Sequence, residues 1–430
     1  AEGNAKGTAT SQDQGTDDIY GIEHVKGSNI EADIIFGNSD VNTLYGQGAN
    51  DTLYGKDGSD HLFGGDQDDI LYGDDAIGNS DDGAIDTLEG GNGNDTLYGG
   101  LGDDKLYGDA GNDTIVATSD VDGADIIDGG ADSDTINYSA LTSANNKIIV
   151  TLAELADTDT TVEVTDSTGT HTGSNDDTIR NIENVTGTSG DDTITGNTKV
   201  NILIGGAGVD TVKYDYTALT SGVTVNLNTG FAIEGAGTVI DTISGIENVV
   251  GSNFDDTFVT RSGETNIVDA GETSGGRAEV NGDTIDYSTN GATKVVLDLN
   301  TVDVNGYATA TVSSGASTDK LKNIENIIGT TGADIIIGNA DKNTITGGAN
   351  DDTLDGKDGT DTIFGGAGND TITGGNDADD LYGNAGNDLF NGTVAFTGDK
   401  IDGGNEDDSS KGSDTVDYST IGSNIVVNLD

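Results

Sequence analysis

The chain contains no Cys, Pro, Met or Trp. Without Cys there is no disulfide frame, no thiolate metal site and no Cys nucleophile. Basic residues number 17 against 78 acidic ones, a formal net charge of −61 over 430 residues. So acidic a surface repels nucleic acid and anionic lipid. No apolar run approaches the roughly 18 residues needed to cross a bilayer as a helix. The opening AEGNAKGTAT has neither the charged nor the apolar region of a signal peptide. Hydrophobic residues are 32% and aromatics 5%, too few for the three ordinary domains that this length suggests. Either the chain is disordered, or its carboxylates have a cationic partner.

Glycine is abundant, with 68 residues, and its placement decides between these readings. A nine-residue period starts at Ser28: SNIEADIIF, GNSDVNTLY, GQGANDTLY, GKDGSDHLF, GGDQDDILY. It is interrupted over 73–89 and resumes as GGNGNDTLY, GGLGDDKLY, GDAGNDTIV. A short tract follows at 187–213, an isolated copy GSNFDDTFV starts at Gly251, and seven uninterrupted copies fill 329–391. Position one is almost always Gly, position six Asp or Asn, and position eight a branched aliphatic or Phe. Six residues therefore turn, and three form a short strand with its middle residue inward. One inward residue per nine suits a thin coil of about 18 residues per turn, stacked at about 4.8 Å.

This GGxGxDxUx pattern resembles the RTX, or hemolysin-type, calcium-binding nonapeptide. The resemblance implies an all-β fold: a right-handed parallel β-roll or β-helix solenoid with Ca²⁺ between successive turns, held by turn carbonyls and position-six carboxylates. Ca²⁺ takes six to eight oxygen ligands, which such turns can supply. The candidate metal ligands are Asp33, Asp51, Asp60, Asp69, Asp95, Asp104 and Asp113 in the first tract, and Asp192 and Asp210 in the second. Asp256 belongs to the isolated copy, and Asp334, Asp352, Asp361, Asp370, Asp379 and Asp388 to the third tract. Asn42, Asn201 and Asn343 replace Asp at position six in units that also lack Gly at position four, so these are doubtful sites or block caps. The expected cofactor is Ca²⁺, roughly ten to twenty ions. A thin coil buries little apolar area while each ordered residue costs about 1–2 kcal/mol, so folding and metal binding should be one linked equilibrium.

A longer repeat lies between the tracts. DTINY, DTVKY, DTIDY and DTVDY start at Asp134, Asp210, Asp283 and Asp414. Each precedes an alternating strand (IIVTL at 148–152, VTVNL at 223–227, VVLDL at 295–299, IVVNL at 425–429). An IEN element follows, NIENV at 181–185, GIENV at 245–249 and NIENI at 323–327, with GIEHV at 21–25 as the fourth member. These read as β-rich spacer coils of the same solenoid. The expected organisation is a spacer coil at 1–27 completing a preceding repeat, a first block at 28–138 and a spacer at 139–186. A second block follows at 187–214, a spacer at 215–250, a short block at 251–287 and a spacer at 288–328. A third block at 329–418 and the start of another spacer at 419–430 complete it. Joined end to start, the termini parallel the internal 223–249, so the chain is expected to be a cut from something longer, or its ends to meet those of neighbouring copies.

The expected function is a calcium-stiffened extracellular structural rod in a fibre, surface layer or matrix. The alternatives are the stalk or binding region of a giant RTX adhesin, and the calcium-folding tail of a secreted enzyme. The resemblance implies type I secretion. No catalytic role is expected: His24, His61 and His171 are far apart, HExxH and GxSxG are absent, and paired Asp residues occur everywhere. Expected partners are calcium and other copies of the chain. Aromatics at position nine, such as Tyr54 over Tyr72 and Tyr45 over Phe63, read as local packing, with contact to a cell-surface glycan or a neighbouring chain as the alternative.

Overall fold

A computed structural model describes residues 7–11, 15–19, 21–74, 83–117, 123–143, 145–154, 158–165, 176–235, 237, 239–271, 282–312, 317–392, 398–404 and 412–420. His171, part of the 73–89 insertion and the carboxy-terminal half of the end-to-start match lie outside them. Every regular element among the described residues is a strand. The chain divides into two compact units, Ala1–Gly208 and Val209–Asp430.

Within each unit, successive nonapeptides feed alternately into two parallel sheets, as an 18-residue coil requires. In the first unit Thr43–Gly48 pairs with His61–Asp66, Leu44 facing Leu62. Ile34–Phe36 and Ile70–Tyr72 flank Thr52–Tyr54, so that Ile35, Leu53 and Leu71 align. The second unit repeats this with Ile345, Ile363 and Leu381 in one file and Leu354, Ile372 and Phe390 in the other. These position-eight side chains are almost wholly buried; Leu53, Leu62, Leu71, Ile345, Leu354 and Ile363 are 0% exposed. Each contributes about 1.5–3 kcal/mol.

The spacers are built differently. Each adds an antiparallel three-strand excursion to the parallel roll: Lys147–Thr151, Thr160–Thr165 and Asp177–Arg180 in the first unit, and Val223–Asn226, Phe231–Glu234 and Val239–Ser244 in the second. Val295–Val302, Ala308–Val312 and Ser317–Lys322 form the third. Alternating apolar residues give these excursions a conventional core; Ile148, Val150, Val162, Val295, Leu297 and Ala310 are 0% exposed.

Candidate metal centre

Position six lies in the turn just before the inward strand residue, and the fold stacks these turns. In the first unit this produces two files of carboxylates tied by backbone hydrogen bonds. The Asp33 N–H donates to Asp51 Oδ1, Asp51 to Asp69, Asp69 to Asp95 and Asp95 to Asp113, each at 2.7 Å. The other file runs Asn42 to Asp60 at 2.6 Å, then Asp60 to Asp86 and Asp86 to Asp104 at 2.7 Å. In the second unit Asp334, Asp352, Asp370 and Asp388 form one file, and Asn343, Asp361 and Asp379 the other.

One oxygen of each carboxylate is thus used by the roll itself. The other oxygen decides the chemistry. Oδ2 of Asp51, Asp69, Asp95 and Asp113 is buried and has no hydrogen-bond partner, and the same holds for Asp352, Asp361, Asp370, Asp379 and Asp388. A buried, unpaired anionic oxygen is strongly unfavourable unless it meets a proton or a cation. Burial, helped by the Asp95 and Asp51 carboxylates and opposed by the Asp51 amide, raises Asp69 to about 7. Burial likewise raises Asp113 to about 8, Asp352 to about 7 and Asp361 to about 7, again with file neighbours adding to the effect. Two carboxylates one rung apart repel by about 3–4 kcal/mol at an effective dielectric of about 20.

The surrounding oxygens fit a hard cation. A Cβ on Gly46 would fall within 2.6 Å of the Gly64 carbonyl and closer still to Asp51 Oδ2. Position one therefore brings a turn carbonyl and a carboxylate oxygen into one cradle that only Gly leaves open. Among the described residues no three His, Asp or Glu side chains form a cage by themselves, so a cation here would draw on carbonyls as well as carboxylates, the ligand set suited to Ca²⁺.

The first turns of each block differ. Asp192 accepts from the Thr188 N–H at 2.6 Å, Asp256 from Ser252 at 2.6 Å, Asp334 from Thr330 at 2.5 Å and Asp33 from Ser28 at 2.5 Å. Asp192, Asp256 and Asp334 are held by the residue at position two, and Asp33 by Ser28 at position one. In later turns position two has positive φ, as at Gln47 (88°) and Lys56 (81°), and Lys56 donates instead to the Gly73 carbonyl of the next rung at 2.9 Å. The doubtful Asn positions gain a physical reason. Asn42, Asn201 and Asn343 accept from position two at 2.7, 3.0 and 2.9 Å. The amides of Asn201 and Asn343 donate to the Glu183 and Glu325 carbonyls at 2.8 and 2.9 Å. A carboxylate could not make that second bond, so these turns are neutral block starts.

Several members of the files are absent from the nonapeptide count. Asp86 continues the second file through the 73–89 insertion. Asp125, Asp134, Asp399 and Asp414 extend files at the block ends, and Asp283 receives the Asp256 N–H at 2.6 Å. Their turns are not nine residues long, but Asp86, Asp134, Asp283 and Asp414 carry the Asp-Thr-aliphatic triplet of positions six to eight. At the spacers the acceptor becomes the IEN glutamate: Asp134, Asp210 and Asp283 donate to Glu183, Glu247 and Glu325 at 3.1, 2.9 and 2.8 Å.

Chain cations also appear there. Arg180 and Asn181 grip the two oxygens of Asp128 at 2.7 and 2.8 Å, and Lys322 and Asn323 grip those of Asp269 at 2.9 and 3.0 Å. Lys199 meets Glu183 at 2.6 Å. Tyr138, Tyr214 and Tyr287 of the first three DTxxY motifs are 0% exposed and sit in the spacer cores. The buried Tyr138 hydroxyl donates to Asp177 at 2.6 Å, and burial together with Asp241 and Asp319 raises the phenols of Tyr214 and Tyr287.

The position-nine aromatics form a continuous stack. Phe36, Tyr54, Tyr72 and Tyr98 lie with ring centroids 4.7, 4.8 and 4.5 Å apart, and Tyr45 stacks on Phe63 at 4.7 Å. The rings cover one another's faces, which leaves edges rather than platforms along the ladder for a sugar ring. His61 bonds Glu89 at 2.9 Å.

A parallel roll with a buried carboxylate in most of its nonapeptide turns defines a β-roll of the calcium-binding type. The model of the RTX calcium-binding nonapeptide repeat matches residues 29–60, 45–76, 81–115, 121–140, 186–214, 328–363 and 355–390, a little under half of the chain. The chain is an RTX-repeat protein, and such repeats bind Ca²⁺. No curated protein matches it. The isolated copy from Gly251 and the spacers from 215 to 327 lie outside the matched segments. No helix among the described residues is long and apolar enough to cross a membrane.

Proposed function

We propose that the protein is a non-catalytic extracellular rod element, secreted by the type I route, whose RTX blocks stiffen when they meet extracellular calcium. The observation that carries this reading is the stack of buried Oδ2 atoms without hydrogen-bond partners in both units. At neutral pH these atoms need a counter-ion, and the turn carbonyls beside them complete a hard-oxygen set. The position-six carboxylates would hold Ca²⁺, which would cancel the repulsion along each file and join successive turns. In metal-poor surroundings the blocks would lose order, because their single inward residue per nonapeptide cannot balance the entropy of ordering nine.

A calcium titration of the whole chain, followed by far-ultraviolet circular dichroism and calorimetry, tests the proposal. The expected result is a cooperative gain of β signal coupled to uptake of many ions, reversed by chelator. A full β signal in chelator, or folding without calcium uptake, overturns it. Electron microscopy of calcium-loaded material should show filaments or lattices; isolated rods only would favour the stalk of an adhesin.

A further inference from the structure

The roll of the first unit has two parallel sheets, and their outer faces differ in charge. In one sheet eight strands, from Ile34–Phe36 to Ile202–Ile204, pair one after another and read IIF, TLY, ILY, TLY, TIV, TIN, NVT and ILI. The middle residue of each is buried, so the first and third point outward. None of these sixteen outward residues is charged, although the chain's 22% of charged residues would put three or four there. The other sheet of the same unit carries Lys26, Glu89, Lys105, Asp128 and Arg180 at the equivalent positions. In the second unit Asp286, Asp380 and Lys400 stand in the outward rows of one sheet, and Asp269, Lys320 and Asp355 in those of the other.

The charge-free face is open, and it has relief. Ile34, Phe36, Ile70 and Ile202 are exposed, and the remaining outward residues, apart from the buried Asn184, are half-buried beside their file neighbours. Its two files differ in height. The third-position file carries the rings of Phe36, Tyr54, Tyr72 and Tyr98, each parallel to the next within 10°. The first-position file beside it carries the shorter Ile34, Thr52, Ile70, Thr96, Thr114 and Thr135. A ridge thus runs along a shelf. Lys56, in the adjoining turn, places its ammonium 5.5 Å from the Phe36 ring centroid, so the strip has a charged rim.

A surface depleted of charge and enriched in aromatics, with a polar rim, has the composition of a protein interface. We propose that this face is where two copies of the chain meet side by side. A partner of net charge −61 approaches at least cost through a face that buries no charge, and a second copy offers that same face. A two-fold axis along the roll of this unit seats the ridge of each copy on the shelf of the other, rung for rung at about 4.8 Å. Thr114 then faces Val116 of the second copy, and Thr135 faces Asn137 of the second copy. The strip is about 34 Å long and about 10 Å wide, which puts the pair at the small, transient end of protein interfaces, below about 1,200 Å² in total. Pairing is therefore weak and concentration-dependent. The inference rests on the calcium-folded rod proposed above and names the face through which such rods associate.

Sedimentation equilibrium of the full chain in saturating calcium, over a wide range of concentration, tests this, with circular dichroism of the same samples reporting the fold. The parent should fold and pair reversibly. Thr114→Asp with Thr135→Asp, and separately Val116→Lys with Asn137→Lys, should fold and raise the concentration for half-association at least tenfold. Mixed in equal amounts, the two variants should pair at the parent's concentration or below it, because each Asp meets a Lys across the interface. Thr43→Asp with Thr87→Asp, on the charged sheet of the same unit, should leave pairing unchanged. A parent that folds yet stays monomeric at every concentration overturns the proposal and leaves the face to a different neutral partner. Face variants that pair like the parent, a mixture that does not recover, or an equal loss from the charged-sheet variant also overturn it. A parent without calcium-induced β signal fails at the calcium reading, which circular dichroism shows separately, and takes this inference with it.

Discussion

Replacing Asp69 by Asn should change stability in opposite directions with and without calcium. Asp69 Oδ1 accepts the Asp51 N–H at 2.7 Å, and Asn keeps that acceptor. The charge is lost. Asp51 and Asp95 sit one rung away on either side in the same file, and each carboxylate pair costs about 3–4 kcal/mol at an effective dielectric of about 20. Partial protonation and water at the turns reduce this, so relief of about 2–4 kcal/mol is expected in chelator. In calcium the same substitution removes a ligand. An ion present at about 100 times its Kd stabilises the fold by about 2.7 kcal/mol, and that contribution is lost. The assay is circular dichroism in urea, with chelator and with saturating calcium, together with the calcium concentration at half-folding. The variant should retain more β signal than the parent in chelator, lose urea resistance in calcium and need more calcium to fold. Equal losses under both conditions would refute the reasoning, since Asp69 would then act only as a neutral hydrogen-bond acceptor.

Acidity should partly replace the metal. Burial raises Asp69, Asp113, Asp352 and Asp361 to about 7, 8, 7 and 7 in the native state, against about 4 in the unfolded chain. The native state therefore binds protons more tightly, and its contribution without metal is fully present below about pH 4 and is lost as pH rises through about 7–8. Circular dichroism in chelator should show β signal growing on acidification, while calcium affinity measured by calorimetry should fall over the same range. Gly46→Ala should destabilise the first block by several kcal/mol in urea melts, because its Cβ meets the Gly64 carbonyl within 2.6 Å. Gln47→Gly should stabilise it by about 1 kcal/mol, since Gln47 is held at φ 88°. Asn343→Asp should cost about 1–3 kcal/mol in calcium by the same melts, because it removes the donor to the Glu325 carbonyl.

The roll was legible in the sequence because its period is local. Gly at position one, the carboxylate at six and the aliphatic at eight each answer one constraint within nine residues. The inward Leu53, Leu62 and Ile363 and the stacking of units 18 apart follow from that spacing. Asp86 and Asp134 were missed because the turns preceding them have other lengths, although the strand that follows each is the ordinary one. The contrast at the start of the turn was harder still. Ser28 and Thr330 differ from Gln47 and Lys56 by a backbone angle that decides whether the amide faces its own carboxylate or the next rung. The Arg180–Asp128 and Tyr138–Asp177 contacts join residues 52 and 39 apart, and only the antiparallel excursion brings the latter pair together.

The paired opening turns have a consequence for how such a chain lengthens. The starter of the seven-copy tract, with Thr330 on Asp334 and then Asn339 on Asn343, has the same construction as that of the three-copy tract, Thr188 on Asp192 and Asn197 on Asn201. Tract length is thus independent of how a tract begins. Inserting or deleting whole 18-residue couplets downstream would leave the seed untouched, so one gene segment can be stretched or trimmed in steps of one rung while every block still starts to wind from the same template.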